Sequence, residues 1–318
     1  MAAANQASTL DRYLGALLGL AAGDALGTTL EFKNKGSFAP IDDMVGGGPF
    51  ALKPGEWTDD TSMAMCLAES LVETKTFDPR DQMARYVRWW HEGHWSSTGR
   101  CFDIGNTVAD ALSRFESTSD PMAGSIDPQS AGNGSLMRLA PVPLQYARDP
   151  AEAVRLAGES SKTTHGATEA VDACRYFAAL LVGAVEGRTK SELLTSDFAP
   201  TGVDWTAAPL APAIARIAGG SYEEKDEEEI RASGYVVHTL EAALWAFARS
   251  SSFREGALLA VNLGEDADTT GAVYGQIAGA YYGVDGIPGK WRNLIVRHEQ
   301  IARLATDLFE DARATLLA

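Results

Sequence analysis

The sequence predicts an all-α fold in a single domain spanning residues 1–318. Apolar residues recur at three- and four-residue spacing through most of the chain. Long alternating β-branched runs are absent, and no linker-like shift of composition divides a length that one helical domain can hold. The first element is the apolar stretch at residues 14–23, closed by Asp24. It is about half the ~20 residues a bilayer crossing needs, so it reads as a buried helix. Helices follow over 59–73, 82–91, 107–115, 151–160, 168–186, 236–248, 253–263, 270–282 and 291–317. Residues 45–55, 117–135 and 195–213 are Gly/Pro/Ser-rich loops, the kind that carry sites on a rigid scaffold. The acidic run at 221–231 reads as a solvated helix face or a mobile loop.

Composition narrows the function. With 45% hydrophobic residues over 318, the chain can bury a core without disulfides or structural metals, so any metal would serve function. Its 27 Lys+Arg against 43 Asp+Glu give a net charge of −16, which opposes nucleic acid and anionic membranes as partners. Cys66, Cys101 and Cys174 are an odd, widely spaced set without a CxxC, unlike a disulfide framework or a thiolate zinc site. The opening MAAANQASTLDRY lacks the basic and apolar regions of a secretory signal. A cytoplasmic location is expected, and a monomer, since no long apolar patch demands assembly.

Two glycine series repeat one spacing: Gly15, Gly19, Gly23 and Gly27, then Gly271, Gly275, Gly279 and Gly283. Four residues advance about 400° around a helix, so each series makes a slowly drifting ridge without side chains. Glycine costs a helix interior up to about 1 kcal/mol each, and close approach of another helix is the gain that offsets it. Two closely packed central helices would fix the polar groups at their ends.

Those ends hold the most unusual polar clusters. Thr58-Asp59-Asp60-Thr61 precedes the apolar positions of one helix, and Glu265-Asp266-Ala267-Asp268-Thr269-Thr270 precedes the second glycine ridge. Each alone is explained by N-capping. Together they offer four carboxylates and threonine hydroxyls, an all-oxygen set suited to Mg²⁺, Mn²⁺ or Ca²⁺ and poorly suited to zinc. If the ends converge, a two-metal centre accounts for acids that would otherwise repel.

The segments GLAAGDALGTTLEF (19–32), WTDDTSMA (57–64), FDIGNT (102–107), GNGSLMRLAPV (132–142), THG (164–166) and NLGEDADTTGAVYGQIAGAYYG (262–283) resemble the ADP-ribosylglycohydrolases, in particular their bacterial dinitrogenase-reductase-activating branch. The resemblance runs in order from about residue 13 to 285. It implies an all-α orthogonal bundle around a binuclear Mg²⁺ or Mn²⁺ site, with Thr58, Asp59, Asp60, Asp266, Asp268 and Thr269 as ligands and Glu31 as a further acid near the metals. Asp24 is expected to bond locally and brace the helices. Asp103 resembles the acid that faces the leaving group in arginine-specific bacterial members, which suits a planar guanidinium; its other reading is an N-cap for the helix near Thr107. In the same loop, Gly105 and Asn106 are implied to touch substrate. The resemblance assigns Ser130, Ala131, Gly132, Asn133, Gly134 and Met137 to the ADP-ribose site, His165 to a phosphate or ribose, and Tyr235 to the adenine. Alanine at 131 departs from the tyrosine that eukaryotic serine-specific members tend to place nearby.

The implied reaction is metal-dependent release of ADP-ribose from modified arginine on a protein. Asp60 or Glu31 would take a proton from water, and Asp103 would orient the guanidinium. Three alternatives stand beside it: the same site acting on ADP-ribosyl-serine or O-acetyl-ADP-ribose, an inactive ADP-ribose-binding protein on this scaffold, and a two-metal phosphohydrolase.

Overall fold

The computed structural model describes residues 7–314, which contain α-helices and short 3₁₀ turns but no β-strand. The helices are α1 (Thr9–Gly27), α2 (Asp59–Thr74), α3 (Pro79–Glu92), α4 (Asn106–Thr118), α5 (Pro141–Gln145), α6 (Pro150–Lys162), α7 (Thr168–Val185), α8 (Lys190–Leu193), α9 (Pro212–Ala218), α10 (Val236–Arg249), α11 (Phe253–Val261), α12 (Ala267–Tyr282), α13 (Gly289–Leu294) and α14 (His298–Ala314). One continuous apolar core runs from Tyr13 on α1 to Ala312 on α14.

The centre of that core is the α1–α12 pair, and the two glycine ridges pack against each other. A Cβ built on Gly19 would stand 2.3 Å from the Gly275 carbonyl oxygen, and one on Gly23 would stand 1.9 Å from that of Gly271. No residue larger than glycine fits such an approach. Gly15 meets Gly279 while Gly27 meets Ala267, so the helices run antiparallel and the C-terminus of α1 lies beside the N-terminus of α12. Ser8 starts α1 with a reciprocal capping box to Asp11. Arg12 ties the far end of the pair, its Nη1 donating to the carbonyls of Ala184, Ala280 and Tyr281. Helices α7, α10 and α11 pack around α12, and α14 packs on α1 and α2.

Several boundaries differ from the expected ones. The final helix divides into α13 and α14 at Arg297, whose φ is +58°; residues 315–317 of the expected helix lie outside the described residues. Short helices α5, α8 and α9 form where no helix is expected, each with buried apolar side chains such as Leu144, Leu193 and Ile214. The acidic run is a pinned loop. Tyr222 and Ile230 are buried, Lys225 pairs with Glu241 at 2.7 Å, and Lys35 donates to the Glu227 and Ile230 carbonyls.

Candidate active site and metal centre

Three helix N-termini, those of α2, α4 and α12, meet beside the C-terminus of α1. A cleft of about 410 Å³ opens there, lined by Glu31, Phe32, Asp59, residues 103–108, Gly132, Asn133, Gly134, Met137, His165, Gly234, Asp266 and Thr269. Positive helix ends favour the negative charge that gathers between them.

Beneath this floor lie Thr58, Asp60 and Asp268, each nearly inaccessible to solvent. Thr58 and Asp266 occupy N-cap positions, yet neither makes a side-chain cap bond. Their side chains face other groups of the site. Thr58 Oγ1 stands 3.1 Å from Asp60 Oδ2 and 3.3 Å from Asp268 Oδ2, and Thr269 Oγ1 is 3.4 Å from Asp60 Oδ2. Asp266 Oδ2 accepts from Asn133 Nδ2 at 2.8 Å, joining the metal-side acids to the Gly-rich loop. Asp24 has both oxygens taken up by Thr58 and Thr61, through backbone amides and hydroxyls at 2.6–3.0 Å. It braces α1 against α2, the role expected of it.

Two triads of carboxylate oxygens fall within 4.8 Å: Asp24, Asp60 and Asp268, and Glu31, Asp103 and Asp268. Asp268 belongs to both. No Lys or Arg among the described residues forms an ion pair with any of these five acids. Burial, reinforced by neighbouring acids, holds Asp59, Asp60 and Asp268 well above the ordinary carboxylate range. Burial and the charges of Asp103, Asp266 and Asp60 push Glu31 up to about 10. Asp103 rises to about 7 through burial and the charges of Asp266 and Asp24, and its carboxylate lies within 4.8 Å of that of Glu31. Glu31 Oε2 and Asp60 Oδ1 are buried without any hydrogen-bond partner. Orphaned acceptors in an all-oxygen cluster fit hard divalent cations, which would supply the missing positive charge and return these groups to their ionised form.

The other wall belongs to the 130–138 loop and the THG segment. Gly132, Asn133, Gly134 and Met137 line the cleft; Ser130 and Ala131 do not. The Ser130 hydroxyl turns away to the Asp127 carbonyl at 2.6 Å, and Ala131 is buried with its carbonyl accepting from Val236 N. Tyr235 also lies outside the lining, its hydroxyl donating to Glu169 at 2.5 Å and its ring edge-on to His238 at 5.0 Å. Its neighbour Gly234 is the lining residue, since the Asn133 amide bonds to the Gly234 carbonyl.

His165 stands on a buried chain of donors. Arg138 Nη2 donates to Thr164 Oγ1 at 2.7 Å, and Thr164 Oγ1 meets His165 Nδ1 at 2.8 Å. A threonine hydroxyl that accepts from Arg138 still has its own hydrogen to give Nδ1, the arrangement that would place the imidazole hydrogen on Nε2. Burial and the Arg138 charge lower His165 to about 3, so the ring that lines the cleft is neutral.

Three non-glycine residues at the site have left-handed backbones: Phe32 (φ +60°), Asp103 (+61°) and Glu265 (+56°). The Phe32 amide donates to the Glu265 carbonyl, and the Glu265 amide donates to the Lys33 carbonyl, each at 2.7 Å. Gly105, not Asp103, is the N-cap of α4, which leaves the Asp103 carboxyl free to face Glu31. Phe32, Thr164, Arg138 and Gly234 carried no site assignment from sequence. Phe32 adjoins Glu31 and Thr164 adjoins His165, but adjacency alone does not reveal which way a side chain turns.

Residues 5–316 match the family model for ADP-ribosylglycohydrolase. The chain is 42% identical over 304 residues to the ADP-ribosylarginine hydrolase Tri1 of Serratia proteamaculans, covering 96% of this chain and 80% of that protein. It is 46% identical over 303 residues to the protein of the same name from Pseudomonas putida, covering 95% and 79%. The ADP-ribosyl-[dinitrogen reductase] glycohydrolase of Rhodospirillum rubrum is 33% identical over 290 residues, covering 89% and 90%. A solved structure described as an ADP-ribosylglycohydrolase-related protein complex superimposes with a TM-score of 0.84 at 47% identity, covering 96% of this chain and 99% of that one.

Proposed function

The chain belongs to the ADP-ribosylglycohydrolase family, and from that membership we propose that it hydrolyses the N-glycosidic bond between ADP-ribose and arginine on a modified protein. The observation that carries the choice of arginine is Asp103, a cleft-lining carboxyl within 4.8 Å of Glu31, in a chain whose relatives at 42% and 46% identity are named for ADP-ribosylarginine. A carboxylate pairs with the edge of a guanidinium through two parallel bonds.

We assign Thr58, Asp59, Asp60, Asp266, Asp268, Thr269 and Glu31 to hold two divalent cations, Mg²⁺ or Mn²⁺, and the two triads add Asp24 and Asp103 to the acids close enough to take part. Bound there, the cations would acidify a water and gather ribose hydroxyls. The chain's own residues do the rest. The Gly132–Gly134 backbone and His165 Nε2–H present donors to the diphosphate or ribose. Asp103 fixes the guanidinium in line with the anomeric carbon. A new C–O bond to water replaces the C–N bond; Glu31 or Asp60 takes the water proton, and the departing guanidine ends protonated. Positive charge developing on the sugar is stabilised by the surrounding carboxylates.

We further propose that residues 1–318 act as one domain, as a monomer, in the cytoplasm; in support, one core spans the described residues and no helix among them is long and apolar enough to cross a membrane. The test is release of ADP-ribose from arginine-linked and serine-linked protein, each with and without chelator. Release from arginine that chelator abolishes is expected. Undiminished release after metal removal would overturn the metal assignment, and preference for serine would overturn the acceptor.

A further inference from the structure

The mouth of the cleft carries an aromatic group that the reaction as described leaves unused. Phe32 is 67% exposed, although a phenylalanine gains stability by burial. It is held there by its left-handed backbone and by the amide bond to the Glu265 carbonyl. Its ring meets Phe50 edge-on at 6.5 Å, and Phe50 meets Phe102 at 5.2 Å. The outer two rings each adjoin an acid of the site in sequence, as Glu31-Phe32 and Phe102-Asp103, and each pair contains one left-handed residue. Both pairs thus send a carboxyl to the Glu31–Asp103 couple, whose oxygens lie within 4.8 Å, and a ring to the Phe50 cluster, on two loops far apart in sequence.

We propose that Phe32, backed by Phe50 and Phe102, forms an acceptor subsite that stacks on the face of the arginine guanidinium while Asp103 holds its edge, a role that rests on the arginine reading above. A guanidinium is planar, carries its donors around the rim and binds aromatic faces through cation–π attraction. An acid beside an aromatic surface complements both features at once. A serine linkage offers neither the charge nor the plane, so the rim selects for arginine.

The test compares the wild type with F32A, F32L and F32W on ADP-ribosylarginine and on a serine-linked substrate, with calorimetric binding of free ADP-ribose measured alongside. F32A and F32L should raise KM for ADP-ribosylarginine about threefold to tenfold, and F32W should restore it. Affinity for free ADP-ribose should stay within about twofold, and the serine-linked rate should not fall. Wild-type behaviour of F32L, or a parallel loss of free ADP-ribose affinity, would overturn the subsite. Failure of the wild type to act on arginine would instead overturn the reading beneath it; wild-type turnover with an unaffected F32A would sink the subsite alone.

Discussion

Gly23→Ala isolates the α1–α12 contact. In an ordinary helix interior this change stabilises by about 1 kcal/mol, because alanine is the better helix former. Here the new methyl carbon would stand 1.9 Å from the Gly271 carbonyl oxygen and 2.4 Å from its carbon, both backbone atoms that no rotamer change can move. Ordinary contact would require the helices to part by more than 1 Å, loosening the whole ridge. Overpacking a well-filled core costs about 1–3 kcal/mol, and a rigid obstacle puts this site at or above the upper end. Subtracting the propensity gain leaves a net loss of about 2 kcal/mol, which lowers the thermal midpoint by roughly 3 °C at this chain length. Gly158→Ala on α6 is the control, since its methyl would meet side-chain atoms alone, Arg175 Cγ at 3.1 Å and Val171 Cγ1 at 3.3 Å, and no backbone. Thermal and urea unfolding of both variants measure the difference. A Gly23→Ala protein as stable as the Gly158→Ala protein would refute the account of the ridges.

Further predictions concern the site and the surface. The double change of Asp266 and Asp268 to Asn should lower kcat about 100-fold or more while the fold is retained by circular dichroism; near-normal turnover would remove them from the metal centre. Thr164→Val should break the donor chain to His165, shifting its tautomer in ¹⁵N-edited NMR and weakening ADP-ribose binding about tenfold, whereas Thr164→Ser should behave as wild type. Because His165 is lowered to about 3 in the folded chain against 6.5 unfolded, the native state binds fewer protons between these values. Stability should fall as pH drops below about 6.5, and a His165→Gln variant should lose part of that slope in pH-dependent unfolding. Burial alone would raise Glu69, but its bonds to His94 and Arg85 outweigh burial and bring it to about 2. Its stabilisation is therefore complete above about pH 4.5 and lost toward pH 2; Glu69→Gln should cost about 1–3 kcal/mol at pH 7, with the cost shrinking on acidification.

What could be read from the sequence was what repeats or clusters locally. The four-residue glycine spacing announced two bare helix faces, and since only a close partner offsets the cost of so many glycines, mutual packing was the economical reading. Polar clusters at two helix starts announced acids, but each taken alone is better explained by capping. In the structure Thr58 and Asp266 make no side-chain bond to the amides of their helices, whereas Asp268 accepts from the Thr269 amide. The sharing of Asp268 between two triads was not legible, since it depends on the axial offset of α1 against α12, which tertiary packing sets. Nor was the turning of Ser130 and Tyr235 away from the cleft. Their directions follow from hydrogen bonds to Asp127 and Glu169, partners at one short and one long sequence separation that no local pattern encodes.

The central pair joins opposite ends of the chain: Arg12 bonds to Ala280, 268 residues away. During synthesis α1 emerges early with an uncovered glycine face and waits until α12 has left the ribosome. Closing so long a loop makes this contact slow to form relative to the local turns of the intervening helices. The acids gather only at that closure, so a growing chain never has to carry a dense negative core before the rest of the scaffold exists to contain it. Assembly of the site thereby reports that nearly the whole polypeptide has been made.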